Sequence, residues 1–181
     1  MPPPRAPETI EAGRIRLRRP TAADAAAIFA RYTSDPTVTR LVGWPRHTSV
    51  DEARGFVAFS DGEWSRSPSG PLLIESRESG ALLGSTGLVF ETSFRAQTGY
   101  VLATDAWGRG YATEALGVIV DLARTLTVRR LYALCHHTHR ASARVLEKCG
   151  FSLEGTLRGY AEFPNLAPGE PQDVLCYAVL L

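Results

Sequence analysis

The sequence is short of several things, and each shortage excludes a class of protein. No segment approaches the ~20 consecutive apolar residues of a membrane-spanning helix. The opening MPPPRAPETIEAGRI lacks the apolar core of a secretory signal. Cysteine occurs only at Cys135, Cys149 and Cys176, an odd count without a C-x-x-C pair. That argues against a disulfide framework and leads us to expect a reducing, cytoplasmic compartment. Charge of one sign is also missing, since 20 Lys and Arg face 19 Asp and Glu for a formal net charge of +1. Neutralising nucleic-acid phosphates needs a clearer basic excess. Neither nucleic acid nor a membrane is therefore expected as a partner.

What remains is a chain of 181 residues, 44% hydrophobic and 22% charged, which suits one globular domain with a real core. Residues 1–14, rich in proline at the start, read as a disordered tail, and residues 15–181 as the domain. Ile15–Pro20 alternates like a short strand. Thr21 with Asp24, and Ser49 with Glu52, are helix-start signals ahead of apolar periodic runs. GWPRH (43–47) reads as a loop between those helices. PLLIES and ALLGSTGLVF read as strands around the turn RESG, and QTGYVLA as another. A buried helix is expected from Thr113 to about Leu126. RLYALCH follows as a strand, and RASARVLEKCG as a helix with Ala143, Val145, Leu146 and Cys149 inward and Gly150 as terminator. FSLEGTLRGYAEF and DVLCYAVLL are closing strands separated by PNLAPGEPQ. This order implies an α+β, mixed α/β domain with a central sheet.

Gly108 and Gly110, in VLATDAWGRGYATEAL, stand between a strand and a helix. A helix N-terminus offers unpaired N–H groups and the positive end of its dipole, and glycine lets a phosphate reach them. The natural donors are the amides from about Arg109 to Thr113, with the Thr113 hydroxyl and the Arg109 cation beside them. No G-x-x-x-x-G-K-[ST] run exists, so a P-loop is excluded. The dinucleotide pattern fails too: Thr113 occupies its last glycine position, and the next strand ends CHHTH instead of in an acidic residue. An ordinary strand-to-helix turn is the remaining alternative.

The wider segment resembles the acetyl-CoA-binding region of the GNAT superfamily of N-acetyltransferases. The family pattern Q/R-x-x-G-x-G/A falls on Trp107, Gly108, Arg109, Gly110, Tyr111 and Ala112, with Trp107 in place of the usual Gln or Arg. The form W-G-x-G-Y-A-T-E-A is similar to the branch of ribosomal-protein N-terminal acetyltransferases. LRRPTAADAAAIF, GWPRHTSVDEARGFV, ASARVLEKCGFSLEGTLR and DVLCYAVLL resemble further blocks of that branch, in order, from Ile15 to Leu181. The resemblance implies a single domain whose mixed, mostly antiparallel, twisted sheet is flanked by helices and splayed at the cofactor site. Acetyl-CoA would be the cosubstrate, without a metal. The acceptor would be a primary amine, on a small molecule or a protein N-terminus, in a monomer or homodimer. The pantetheine arm would lie along Tyr100, Val101 and Leu102. Where the family commonly has N-x-A-S, this chain has His139-Arg140-Ala141-Ser142, so His139 stands for the asparagine that helps hold the pantetheine.

Acetyl transfer needs a neutral amine, a donor for the tetrahedral oxyanion and help for the departing thiolate. A backbone N–H of Tyr100–Leu102 would serve the oxyanion. By resemblance Ser142 is the acid and Glu162, in AEFPN, the base, with Tyr160 as a further acid candidate. Gln97 stands where relatives often carry a glutamate and cannot act as a base. In the absence of those roles, Ser142 is a capping hydroxyl and Glu162 a solvated carboxylate. Trp44 and Phe163 suggest an apolar wall for the acceptor, and Glu162 and Asp173 an attraction for its charge. Two other functions compete. One is a non-catalytic acyl-CoA-binding or sensing module on the same scaffold. The other is a metal-dependent hydrolase, since Cys135, His137 and His139 alternate as on one strand face, although the spacing lacks the four ligands of a structural zinc site.

Overall fold

In the computed structural model, which describes residues 4–181, eight strands form one sheet in the order β1-β2-β3-β4-β5-β6-β8-β7. They are β1 (Thr9–Ala12), β2 (Ile15–Arg18), β3 (Leu72–Ser76), β4 (Leu82–Phe90), β5 (Arg95–Leu102), β6 (Arg130–His136), β7 (Ser152–Ala161) and β8 (Gln172–Leu180). Every neighbouring pair is antiparallel except β5 with β6. The helices are α1 (Ala25–Ile28), α2 (Pro36–Thr39), α3 (Val50–Arg66), α4 (Tyr111–Thr125) and α5 (Arg140–Lys148). The expected mixed, mostly antiparallel sheet flanked by helices is present.

The expected tail needs correction. Met1–Pro3 lie outside the described residues, but Thr9–Ala12 is a strand paired with β2 around Gly13 and Arg14. ETIEAGRIRLRR is a hairpin whose two-residue turn carries a glycine, a signal that the neighbouring prolines mask. The first helical segment also differs. A 3₁₀ turn at Ala22–Asp24 runs into α1 and then into a π-turn over Phe29–Thr33. Its start signal works as read, since Asp24 Oδ2 accepts the Thr21 N–H at 2.7 Å. The Ser49 N–H reaches Glu52 at 3.2 Å in the same way ahead of α3.

Helices cover both faces of the sheet, but unevenly. On one face α4 and α5 bury Ala115, Leu116, Ile119 and Leu146 against Ile15, Leu17, Leu72, Ile74, Leu88 and Leu131. On the other, Ala25, Ile28, Tyr32, Val38, Ala53 and Val57 pack on Leu73 and Leu82. Leu72 and Ile74 thus face one core and Leu73 the other, which is why this strand is an unbroken apolar run. Helix α4 begins two residues before the expected Thr113. It is apolar on one side only, because Asp121, Arg124 and Thr125 are exposed.

The feature that positions the site is a divergence. β5 and β6 pair only through Arg95↔Arg130, Ala96↔Leu131 and Gln97↔Tyr132. Beyond Gln97 the two strands part, while β5 stays paired to β4 as far as Leu102 and β6 to β8 as far as His136. In an antiparallel pair every second residue turns its N–H and C=O away from the partner. Some of the backbone of Thr98–Leu102 therefore faces the gap.

Candidate active site

At the upper end of the gap the chain leaves β5, makes a 3₁₀ turn at Thr104–Ala106 and enters α4 through Gly108 and Gly110. Both glycines adopt left-handed backbone, with φ of 71° and 82°. Gly110 is the N-cap residue of α4 and has no side chain to satisfy the first-turn amides. Its carbonyl takes the Glu114 N–H at 3.0 Å, so the N–H groups of Tyr111, Ala112 and Thr113 precede the first helical bond. This is the geometry that the glycine spacing led us to expect of an anion cradle. Arg109 lies near it, with its guanidinium carbon 5.1 Å from the Tyr111 ring centroid. The Trp107 indole N–H donates to the Leu102 carbonyl at 2.8 Å and ties the loop to β5.

An unforeseen staple holds this end. The Arg14 backbone N–H and guanidinium both bind Glu114, at 2.6 and 3.0 Å, and the guanidinium also reaches the Arg109 carbonyl at 3.1 Å. The β1–β2 turn is thereby fixed to the first turn of α4.

Across the gap stands α5. His139 is its N-cap residue, and its Nδ1 accepts the Ser142 N–H at 3.4 Å. Burial holds this imidazole below its ordinary pKa, so it stays neutral and free to accept. Ser142 is paired through its side chain, not spent on capping. The Tyr100 phenol lies 2.9 Å from both the Ser142 carbonyl and the Ser142 Oγ. A carbonyl only accepts, so the phenol proton goes there, and the Ser142 hydroxyl donates to the phenol oxygen. Burial raises the Tyr100 pKa and keeps the phenol neutral. Tyr100 was expected to contribute its backbone alone; its side chain bridges the two walls of the gap. Nearby Cys135 is buried, and its thiol is pushed up to about 11.

Glu162 follows β7 directly and is exposed; its carboxylate makes no hydrogen bond or ion pair among the described residues. Tyr160 is 57% exposed, and no hydrogen bond among the described residues joins it or Glu162 to Ser142. The structure thus brings Tyr100 and Ser142 into hydrogen-bond contact, and Glu162 and Tyr160 make no such bond to them among the described residues. Asp173 Oδ1 accepts the Gly159 N–H at 2.8 Å. The C-H-H-T-H alternation also fails. β6 ends at His136, Cys135 is in the core, and exposed His137 lies with its Nδ1 3.2 Å from the Asp173 carbonyl. Among the described residues, no three His, Cys, Asp or Glu side chains gather as a metal site.

Asn165, three residues after Glu162, has a role that local reading missed. Its amide donates to the carbonyls of Thr39 and Trp44, both at 2.8 Å, and its Oδ1 accepts the Arg46 N–H at 2.8 Å. One side chain thus joins the GWPRH loop to the loop after β7. Trp44 packs on His47 with ring centroids 5.4 Å apart. Phe163 is buried, its ring edge-on to His136 at 4.7 Å.

The acetyltransferase (GNAT) domain family matches residues 14–152 of this sequence. The chain belongs to the GNAT family. A GNAT chain 30% identical over 174 residues is the uncharacterized N-acetyltransferase YoaA of Bacillus subtilis (strain 168); the match covers 94% of this chain and 96% of that one. The fold is also that of MccE, the microcin C7 self-immunity acetyltransferase solved with acetyl-CoA and AMP, with a TM-score of 0.85, 19% identity, and coverage of 97% of this chain and 98% of that one. RimL, the ribosomal L7/L12 alpha-N-protein acetyltransferase solved with CoA, gives a TM-score of 0.83 at 22% identity over 96% of this chain and 98% of that one. This GNAT chain is an acetyl-CoA-dependent N-acetyltransferase acting on an amine. Its anion cradle and adjoining gap fit a long phosphorylated thioester, and the non-catalytic alternative is not favoured. No helix among the described residues is long and apolar enough to cross a membrane.

Proposed function

We propose that the enzyme acetylates the α-amine of a peptide or protein N-terminus, with a small primary amine as the alternative acceptor, by direct transfer in a ternary complex. The observation that carries the reading is the parting of β5 from β6 beyond Gln97, beside an uncapped α4 N-terminus. The pyrophosphate of the cosubstrate sits on the amides from Arg109 to Thr113, and its pantetheine arm adds to β5 along Tyr100–Leu102. The thioester then lies in the gap between the cofactor helices and the acceptor loops. The acceptor class is that named for RimL, which acts on a protein α-amine.

An α-amino group titrates at about 7.7–8.0 against about 10.4 for lysine, so it loses its proton more readily near neutrality. Glu162 takes that proton, directly or through water. The amine nitrogen attacks the thioester carbonyl carbon, and a backbone N–H of Tyr100–Leu102 holds the oxyanion. The C–S bond breaks as the C–N bond is kept, and the sulfur receives a proton with help from Ser142. Tyr100 positions Ser142 for this step. Its phenol oxygen accepts from the Ser142 hydroxyl and holds that side chain at the gap. Tyr160 is the weaker acid candidate. The enzyme works in the cytoplasm, as a monomer or homodimer.

The test is a thiol-release assay with acetyl-CoA against N-terminal peptides, polyamines and aminoglycosides. Turnover with α-amine peptides above all others supports the reading. Turnover confined to one of the other classes refutes the acceptor assignment.

A further inference from the structure

One imidazole of the C-H-H-T-H run is unused by this chemistry. His136 is the last residue of β6 and only 3% exposed. Its predecessor, Cys135, belongs to the core beneath α4 and α5. Strand alternation sends the next side chain to the opposite face, the one shared with the acceptor loops. There the ring meets Phe163 edge-on at 4.7 Å and His137 at 4.4 Å. Arg40 and Gln172 act on it as well. Its surroundings therefore come from both of the segments that Asn165 joins.

The hydrogen bonds fix its tautomer. Nδ1 accepts the Thr138 backbone N–H at 3.2 Å and lies 2.8 Å from the Thr138 Oγ1. A nitrogen that accepts a backbone N–H bears no proton, so the neutral ring carries its proton on Nε2. The ring is neutral because burial, with His137, His139 and Arg40 nearby, lowers its pKa. The Nε2–H is buried and has no hydrogen-bond partner among the described residues. Gln172 favours the proton on this ring without closing a bond to Nε2. A buried donor with no acceptor is unfavourable, and native proteins rarely keep one without a use. The same tautomer denies His136 the role of base, since the free lone pair is already taken by Thr138.

The geometry points to His136 as a specificity residue: its Nε2–H donates to a carbonyl oxygen of the acceptor, on the carbon next but one to the amine nitrogen. This rests on the N-terminal acetylation proposed above and deepens it. The acceptor is then an α-amine flanked by an amide carbonyl, as at the start of a peptide, and not a plain alkylamine or polyamine. Phe163 covers the ring in the free chain, so the loop after β7 must yield as the acceptor enters.

The experiment compares His136→Phe, which keeps an aromatic ring against Phe163 but has no donor, with His136→Gln, whose amide restores an N–H at the reach of Nε2. Acetylation of an alanine-initiated tripeptide amide is measured beside that of propylamine. For His136→Phe the peptide kcat/KM should fall by about 10–100-fold, the weight of one buried hydrogen bond, while propylamine changes less than about twofold. His136→Gln should recover part of the peptide preference. An equal loss for both amines, as expected of a donor that merely holds a buried water, overturns the assignment. So does an unchanged ratio. A second readout needs no turnover. The ¹⁵N histidine spectrum of the CoA-loaded protein should show an Nε2–H tautomer for His136 whose signal shifts when the peptide is added. An Nδ1–H tautomer, or a signal indifferent to peptide, refutes the proposal. Failure of the parent reading looks different: the wild type would then acetylate none of the peptides.

Discussion

The two ends of the active-site gap are built from different materials. The end at which we propose the cofactor binds is backbone: two left-handed glycines, the first-turn amides of α4 and the unpaired edge of β5. Its side chains serve as staples, as Arg14 does on Glu114 and Trp107 on Leu102. The proposed acceptor end is held together by side chains. Asn165 holds two loops together, Phe163 packs on His136, and Glu162 stands exposed at the end of β7. A backbone cradle recognises groups every acetyl donor shares and tolerates variation around it. A site made of loop side chains changes with each substitution, so substrate choice resides there.

Substitutions should separate the two ends. The largest effect belongs to Glu162→Gln, which keeps the size of the side chain and removes its basicity. It should lower kcat by ~10²–10⁴-fold, the usual weight of general acid–base catalysis, and flatten the acidic limb of the pH–rate profile. Acetyl-CoA affinity should stay as it was, and Ser142→Ala should lose less than this. Full kcat with an unaltered profile would place the base elsewhere. Next comes Gly110→Val. A β-branched residue is strained at a φ of 82°, and the amides it displaces each lose a charge-assisted bond. CoA affinity by calorimetry should fall by about 10²–10³-fold, on the order of one or two such bonds, with the circular dichroism spectrum retained. Unchanged affinity would remove the pyrophosphate from this turn.

Smaller effects probe the acceptor end. Asn165→Ala breaks three hydrogen bonds that join the GWPRH loop to the loop after β7. The acceptor kcat/KM should drop by about 10-fold, the scale of one or two net hydrogen bonds, while CoA affinity moves less than about twofold. Asn165→Asp, which keeps Oδ1 but loses both donors, should behave like the alanine variant. Equal losses for CoA and acceptor would show that the two ends are not separate. The mildest lever is acid. Arg18 binds Asp24 at 2.7 Å and Glu75 at 2.8 Å, and fixes the start of the α1 segment to the sheet. The guanidinium holds the Asp24 pKa at about 2, below its ordinary 3.8. The stability this contributes is present above about 4 and is lost as pH falls toward about 2. Hydrogen-exchange protection factors near α1 should therefore fall over that window, and the Arg18→Gln variant should show a smaller step, because Thr21 still favours the Asp24 carboxylate.

How much of this could be read from the sequence follows from the same division. The turn into α4 was legible because its parts are neighbours in the chain: GRGYAT sets the glycines, the cap and the amides within six residues. The central strands and helices α3, α4 and α5 were legible from local periodicity, whereas α2 was not. The Asn165 joint was not, because its partners lie 119 to 126 residues away. Tyr100 was counted for its backbone only, since nothing local tells that its phenol meets Ser142 across 42 residues. The β1 hairpin was hidden by adjacent prolines, and the metal-like alternation of Cys135, His137 and His139 dissolved because β6 stops at His136.

The most direct test of the cofactor end is a titration of the ¹⁵N-labelled protein with CoA, followed by amide chemical shifts. The largest changes should fall on Gly110–Thr113 and on Tyr100–Leu102, with those of Gly43–His47 and of the Asn165 loop smaller. Shifts concentrated in the acceptor loops, with the first turn of α4 unmoved, would contradict the account.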